Sequence, residues 1–394
     1  MEKPGFPKLK PGFKLNLTAR MIGWLGAARP GPSKPPRVAL AYRNRRRFAY
    51  QSLASGLIVL LLLQLGLGVA AEQSLYIRDP GYSDKEIRLT RQEALHPEGP
   101  RIVMLGTSRT AAAFHAGRAR EQLGSGVVFN FGIPASGPVT HLLYLRRLLA
   151  DGHKPNLLLL EVLPPSLADV PAIEDGRPVE HLAPLEARFF FGDRMRRSEL
   201  HAAVQYGFSP EYVNQKWLES VAVPFHALRF PIMGRLAPSA QPWHLRFDWS
   251  RGCDEFGWGA PFAETVTPLE YEFGLEKAIK EYVWILRDMH PNGGGSRALA
   301  EIAKLCREQG IQLKLVMMPE ASGFRVIYPP VVVERMHTFL TGVCREHGCE
   351  LIDAREWLPD TGFSDGHHML KGGAVEFTDR ISRAAVDPHR ERMK

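Results

Sequence analysis

Short apolar runs alternate with amphipathic stretches in two parts of the chain. Such alternation is typical of parallel strands joined by crossover helices. We therefore expect an α/β fold with a doubly wound five-stranded parallel sheet. Its core comprises residues 99–163 and 297–385, and residues 386–394 form a C-terminal tail. The predicted strands cover residues 102–105, 127–131, 156–162, 311–317 and 350–353, and the main predicted helices cover residues 139–150, 297–309 and 331–347, with a terminal helix from about Gly373.

Residues 164–296 interrupt this alternation with helical patches and with loop-like stretches rich in tryptophan and proline. A segment of this length is too long to be a simple connection between two elements. It predicts a mainly helical insertion subdomain, which the glycine-rich residues 292–296 close as a flexible joint. The helical patches cover residues 186–197, 210–221 and 275–290, and the notable tryptophans are Trp243, Trp249 and Trp258.

An uncharged, leucine-rich run over residues 48–71 is long enough to span a bilayer. Arginines precede this run and Glu72 follows it, so the positive-inside bias predicts a single-pass helix in the inner (cytoplasmic) membrane. The N-terminus is then cytoplasmic, and the larger part of the chain is periplasmic. Residues 72–98 are interpreted as a polar linker. A cleaved export signal ending in the small residues 69–71 is the alternative, and it predicts the same extracytoplasmic location.

The net charge of +8 is concentrated at the N-terminus, because residues 1–47 carry +11 and the remaining residues sum to −3. This distribution predicts a flexible basic cytoplasmic tail over residues 1–47 and no nucleic-acid partner. The four cysteines include no Cys-x-x-Cys pair, so a structural zinc site is not expected. Free thiols and a bridge between Cys344 and Cys349 both remain open.

Two segments carry candidate chemistry. Ser108 follows the first strand and the turn residue Gly106, at the start of a helix, where a hydroxyl group would lie at the carboxyl edge of the sheet. An N-cap role is the alternative for this serine. Asp365 and His368 lie in a loop after the last strand. Acyl transfer from a serine needs a base and a carboxylate that orients it, so Ser108, His368 and Asp365 are the candidate catalytic residues. His367 is the alternative base, and the alternative for the loop is a pair of solvated histidines or an adventitious metal site.

These segments resemble the SGNH hydrolase superfamily, the GDSL-like esterases and acyltransferases, over residues 100–163 and 297–385. Residues 105–108 match the nucleophile block, and Asp365 and His368, followed by two glycines, match the last block. The resemblance implies a three-layer flavodoxin-like fold and an oxyanion hole of backbone N–H groups. The third block departs from the family, because Glu161 and its neighbours include no asparagine. The candidate oxyanion donors are the N–H groups of Arg109, Ala135, Ser136 and Gly137.

The changed third block is similar to that of membrane-anchored envelope proteins, such as alginate O-acetylation proteins and the D-alanyl transfer protein of teichoic acids. The resemblance implies an O-acyltransferase that receives an acetyl or similar group from a membrane-bound O-acyltransferase partner and places it on a polysaccharide hydroxyl. The tryptophans of the insertion would form either a sugar platform or a subdomain core. An esterase with the same triad and a catalytically weak scaffold are the alternatives. No cofactor or metal is expected, since the chain contains neither a Gly-x-x-x-x-Gly-Lys loop nor a His-Glu-x-x-His motif.

Overall fold

A single all-parallel sheet organises the computed structural model, which describes residues 37–168, 194–240, 252–261, 263–387 and 389. The strand order is β2-β1-β3-β4-β5, and the five predicted strands are confirmed to within one residue at each end. Their continuous apolar sequences suit strands that are covered on both faces. The strands are β1 Arg101–Gly106, β2 Val127–Gly132, β3 Leu157–Val162, β4 Gln312–Met317 and β5 Glu350–Asp353.

Helices make up most of the remaining described structure. Residues predicted to be helical at 139–150, 210–221, 331–347 and after 373 all lie in helices, and the helix predicted over 297–309 ends one residue earlier, at Glu308. The helices are α1 Arg37–Gln73, α2 Leu75–Arg78, α3 Pro80–Leu95, α4 Ser108–Ala113, α5 Ala116–Leu123, α6 Pro138–Ala150, α7 Arg197–Ala203, α8 Pro210–Ala222, α9 Pro224–Ala227, α10 Arg229–Leu236, α11 Pro268–Leu286, α12 Gly294–Glu308, α13 Ser322–Arg325, α14 Pro330–His347 and α15 Lys371–Ile381.

The sheet is buried on both faces, because alternate side chains of each strand enter two different cores. Val103 and Leu105 of β1 face the core that α3, α6, α12 and α14 cover. Ile102 and Met104 face the core that α4, α5 and α15 cover. The order reverses at β1, which lies between β2 and β3. In open α/β sheets the crevice at such a reversal, at the carboxyl ends of the strands, is the usual ligand position.

Residues 72–98 are not the linker that the sequence predicted. They form α2 and α3, and Tyr82 and Leu89 of α3 are buried in the core. Asp79, which is fully buried, accepts hydrogen bonds from the Tyr144 hydroxyl at 2.6 Å and the Arg147 guanidinium at 2.8 Å. The prediction was wrong because polar residues are read as exposed, whereas this carboxylate is buried together with its hydrogen-bond partners.

The insertion is mainly helical where it is described, with residues 252–261 and 263–267 outside helices, but it is not a separate subdomain. Leu200, Val213 and Tyr282 join the same core as the sheet. The predicted flexible joint at residues 292–296 is also wrong, because Gly294 begins α12 and the Ser296 hydroxyl donates to the Leu167 carbonyl at 2.8 Å. The predicted helix over 275–290 begins earlier, at Pro268, and ends at Leu286; residues 186–193, Trp243 and Trp249 lie outside the described residues.

The N-terminal helix α1 contains the stretch Tyr42–Gln73, which is long and apolar enough to span a membrane. This is consistent with single-pass anchoring. The helix begins before residue 48, so it includes the arginines that the sequence analysis assigned to the tail. Arginine has a high helix propensity, which allows the helix to extend into this basic segment. Residues 1–36 of the predicted tail lie outside the described residues. The chain divides into two units, residues 1–60 and residues 61–394.

Candidate functional site

A tight turn after β1 presents Ser108. The strand ends at Gly106, Thr107 caps α4, and Ser108 is the first residue of that helix. The Thr107 hydroxyl oxygen accepts the Arg109 N–H at 3.2 Å. A methyl group on Gly106 would overlap the side chains of Thr110 and Glu161, so only glycine fits at this position.

The loop after β5 brings His368 and Asp365 to Ser108. The Nε2 atom of His368 lies 2.9 Å from the Ser108 Oγ atom, and its Nδ1 atom lies 2.7 Å from the Asp365 Oδ2 atom. The His368 backbone N–H also donates to Asp365 Oδ1, at 2.7 Å. The three residues predicted to act together therefore form one hydrogen-bonded chain, arranged so that a proton can pass from the serine to the imidazole.

Ser108 and His368 follow strands that are not neighbours in the sheet. The first and last strands do not approach each other, because β3 and β4 lie between β1 and β5. At about 4.8 Å per strand the separation is about 14 Å. The loop that follows β5 spans this distance along the carboxyl edge of the sheet.

The charges of the His368–Asp365 pair favour a protonated imidazole beside a carboxylate. Burial opposes the charged form of His368, but the charge and hydrogen bond of Asp365 outweigh it and raise the pKa of His368 above its ordinary value. Burial likewise opposes ionisation of Asp365, but the His368 charge and hydrogen bonds, with the His367 charge, hold the pKa of this carboxyl below its usual range. The pair is thus suited to stabilise an imidazolium formed during proton transfer.

His367, the alternative base, is placed differently. Its ring is buried against Tyr282 and Phe324, with ring centroids 5.6 and 5.1 Å apart. Burial lowers its pKa well below the ordinary value, and the His368 charge adds to this effect. Among the described residues it makes no hydrogen bond to Ser108. Asp365, His367 and His368 each bring one donor atom to within 4.8 Å of the others, a grouping that could hold a metal ion.

The four candidate oxyanion donors differ in their availability. The Arg109 N–H is directed at Thr107, and the Ser136 N–H donates to the Ile133 carbonyl at 3.3 Å. Ala135 has φ 56°, in the left-handed region that L-residues other than glycine seldom adopt. Within the described part of the chain, the Ala135 N–H has no hydrogen-bond partner. Gly137 caps α6 and is not among the described residues that line the cavities beside Ser108.

Glu161 stands where the family resemblance leads us to expect an asparagine, and its role was missed by the sequence analysis. Its fully buried carboxylate accepts the N–H groups of Thr107 and Thr110 at 2.7 and 3.2 Å, and both threonine hydroxyls at 2.9 and 2.6 Å. The Arg109 Nε atom is 3.8 Å away. Glu161 therefore fixes the turn that carries Ser108. An acidic residue within an apolar buried strand was the available signal, since such a charge must be paired.

Asn130 holds the other end of α4, the helix that begins with Ser108. Its side-chain NH₂ group donates to the carbonyls of Thr110 and Phe114 at 2.8 and 2.7 Å, and its side-chain Oδ1 atom accepts the Gly132 N–H at 2.9 Å. Asn130 is fully buried. The helix that begins with Ser108 is thus fixed by a buried side chain from each of the two strands next to β1.

Two cavities meet at Ser108, His368 and Asp365, which line both. The larger has a volume of about 880 Å³ and the smaller about 400 Å³. Half-buried Trp258 forms one wall of the larger cavity, stacked on His115 with ring centroids 3.9 Å apart. Other lining residues of the larger cavity are Lys85, Arg88, Ile133 and Leu370, and those of the smaller are Ala135, Ser136, Phe273, Lys277, Tyr282 and His367.

No protein-family model matches the chain, and comparison with curated proteins finds no match. The resemblance to the SGNH superfamily therefore rests on the motifs of this sequence, and the functional argument rests on the geometry around Ser108.

Proposed function

We propose that the protein is a membrane-anchored, extracytoplasmic O-acyltransferase that carries an acyl group on Ser108 and passes it to a polysaccharide hydroxyl. The observation that carries this proposal is the hydrogen-bonded chain from Ser108 through His368 to Asp365, placed where two cavities meet. A transferase must bring a donor and an acceptor to the same atom, and two cavities that share one serine supply that arrangement. The resemblance to envelope O-acetylation proteins agrees with it.

In the first half-reaction the Ser108 oxygen attacks the carbonyl carbon of the acyl donor while His368 Nε2 takes the hydroxyl proton. Asp365 stabilises the imidazolium that forms. The new bond joins Oγ to the acyl carbon, the bond from that carbon to the leaving group breaks, and His368 returns the proton to the leaving group. The product is an acyl ester of Ser108.

In the second half-reaction the acceptor hydroxyl takes the place of the leaving group. His368 removes its proton, the acceptor oxygen bonds to the acyl carbon, and the ester bond to Ser108 breaks. The proton then returns to Ser108. We assign the acceptor to the larger cavity, since the face of Trp258 suits a sugar ring, and the donor to the smaller cavity beside Ala135. The donor would come from a membrane-bound O-acyltransferase partner.

The Ala135 N–H is the oxyanion donor that this geometry favours. It belongs to a residue that lines the smaller cavity with Ser108, and the surrounding turn holds it in a conformation that alanine seldom adopts. A single such donor is commonly worth about 3 kcal/mol in the transition state. Because the third-block asparagine is replaced by Glu161, we expect slow turnover with simple esters.

The test uses full-length protein in phospholipid vesicles with p-nitrophenyl acetate as donor and a soluble polysaccharide as acceptor. We expect a burst of p-nitrophenol, a trapped acetyl or phosphonate adduct on Ser108, and acetyl transfer that depends on the acceptor. Ser108→Ala should abolish all three. Ser125→Ala, an exposed serine in the loop before β2, is the matched control and should change none.

Two other outcomes have clear meanings. Acetate release through Ser108 that is indifferent to the acceptor would identify an esterase. Full envelope function of a Ser108→Ala/His368→Ala double variant in cells, with no adduct on the wild-type serine, would contradict catalysis and identify a scaffold.

A further inference from the structure

Four exposed apolar side chains form a ridge at the end of α8 and in α9. We call Leu218, Val221, Val223 and Phe225 the apolar ridge; each is between 41 and 58% exposed. Leu218 and Val221 are three residues apart on one face of α8, and Val223 and Phe225 follow at the break between α8 and α9 and in α9. The apolar side chains of Val213, Ala227 and Leu228 in the same segment are buried and do not belong to the ridge.

Phe225, at one end of the ridge, lies beside the last turns of α1. The Phe225 backbone N–H donates to the Gln64 side chain at 3.1 Å, and Pro224 lies against Gly68. Gln64 and Gly68 are four residues apart and therefore share a face of the helix. This face is partly buried and ends at fully buried Ala71, whereas Leu65 and Val69 remain exposed. The folded domain thus covers one side of the end of α1, within the apolar run that ends at Ala71.

The position of Gln64 in the helix gives the depth of the contact. The apolar sequence of α1 continues for seven residues beyond Gln64, to Ala71. At a rise of about 1.5 Å per residue, this is about 10 Å along the helix. Apolar faces of interfacial helices enter the boundary between headgroups and acyl chains by about 5–10 Å. When α1 spans a bilayer, the ridge is therefore at the depth of lipid and not of water.

A buried arginine fixes this depth. The Arg78 guanidinium donates to the Ala71 carbonyl at 3.1 Å, to Glu72 at 2.7 Å and to the Met195 carbonyl at 3.0 Å. Glu72 also accepts the Arg197 N–H, at 3.0 Å. We call these contacts the Arg78 clamp. Because of the clamp, the folded domain is held directly against the end of α1.

We propose that the apolar ridge inserts into the outer leaflet of the membrane that α1 spans, with phospholipid acyl chains as its ligand. Through Phe225 the ridge adjoins α1, which distinguishes it from other exposed apolar residues such as Leu269 on α11. Exposed Tyr76, shortly beyond the end of α1, suits the aromatic belt that membrane proteins place at the interface. The proposal rests on α1 spanning a bilayer and does not require chemistry at Ser108.

The test replaces Val221 or Phe225 by the photoreactive residue p-benzoylphenylalanine in the full chain, reconstituted in phosphatidylcholine vesicles. Illumination followed by mass spectrometry should give phospholipid adducts at both positions. The matched control is the same replacement at Leu269, which is exposed and apolar but far along the chain from the ridge; it should give several-fold less lipid adduct. Thermal unfolding of each variant verifies that the fold is kept. We expect it to be kept because the replaced side chains are exposed.

Two results would overturn the proposal. Lipid adducts no more abundant at 221 and 225 than at 269 would show that the ridge is in water. Adducts to a second copy of the chain, in vesicles that contain no other protein, would show that the ridge is instead an interface between copies.

Discussion

The Nε2 atom of His368 lies 2.9 Å from the Oγ atom of Ser108, although 260 positions separate the two residues in the chain. One residue follows the central strand β1, and the other reaches it in a loop that starts at the edge strand β5. The pair is held by Asp365 on the histidine side and by Glu161 on the serine side. Each of these carboxylates supports a separate prediction.

Asp365→Asn should lower the acyl-transfer rate and change its dependence on pH. Activity requires neutral His368 and is lost as pH falls through the pKa of that residue, which Asp365 raises above the ordinary value. Without the carboxylate charge this pKa falls, so the acid limb of kcat should move to lower pH. Loss of orientation should reduce kcat by up to about 10⁴-fold. Rates measured between pH 5 and 9 (roughly the range around the ordinary histidine pKa) check both effects, with exposed Asp288→Asn as control. An acid limb that does not move would contradict the assigned role.

Glu161→Gln should destabilise the protein and the turn that carries Ser108. The amide offers one acceptor oxygen and presents an NH₂ group where the carboxylate accepted hydrogen bonds from Thr107 and Thr110. Removing one partner of a buried charge network commonly costs about 3 kcal/mol. Chemical denaturation should reveal this loss, and phosphonate labelling of Ser108 should slow. Partly exposed Glu301→Gln is the matched control. Equal stability of the two variants would exclude the proposed role of Glu161.

Gly274→Ala should lower kcat while leaving the free energy of unfolding nearly unchanged. Gly274 lies in α11 over the catalytic loop, and a methyl group there would be 2.8 Å from the Asp365 Cβ atom. We expect the loop to shift, so that the hydrogen bond between Asp365 and His368 lengthens and kcat falls. Gly342→Ala, in the middle of α14 with open space around it, should instead stabilise the protein by about 1 kcal/mol. Comparison of kcat and unfolding free energy for the two variants checks the prediction, and unchanged kcat in Gly274→Ala would contradict it.

Cys344 and Cys349 should form a disulfide when the protein is isolated from its membrane without reductant. Their Sγ atoms are 2.9 Å apart, about 0.9 Å longer than a disulfide bond, at the junction of α14 and β5. Both thiols lose a proton and an electron to a dithiol oxidase or another disulfide, as expected outside the cytoplasm. Alkylation and peptide mass spectrometry should find these two cysteines blocked and buried Cys306 reduced. Free thiols at both positions would argue against an extracytoplasmic location.

The sequence predicted those parts of the fold that depend on local patterns. Continuous apolar runs located the strands because both faces of the sheet are buried. Gly106 and Asp365 indicated the two segments of the candidate site because each lies within a few residues of Ser108 or His368 in the sequence. Packing between distant segments was less predictable. Asp79 lies between α2 and α3, in the segment predicted to be a linker, and its partner Arg147 is remote in sequence. Gly294 was taken for part of a joint, since its close contact with Tyr206 cannot be read from a glycine run.

The candidate site also combines residues that local sequence predicts with contacts that only the structure shows. The identities of Ser108, His368 and Asp365 could be proposed from residue type and order. The structural role of Glu161 could not be predicted, because the family pattern shows only that an asparagine is absent. It does not show which groups donate hydrogen bonds to the carboxylate that replaces it. The choice between His367 and His368 also needed the structure, since adjacent residues in a loop point in different directions and only the contacts distinguish them.

The Arg78 clamp has a consequence for the kinetics of the proposed reaction. When α1 spans a bilayer, a domain held at the end of this helix stays close to the membrane surface while the protein diffuses in the membrane plane. Encounters with a membrane-bound acyl donor then take place in two dimensions. The rate of donor-dependent acylation in vesicles should consequently follow the number of proteins per unit of membrane area, and dilution of the vesicle suspension should leave it unchanged.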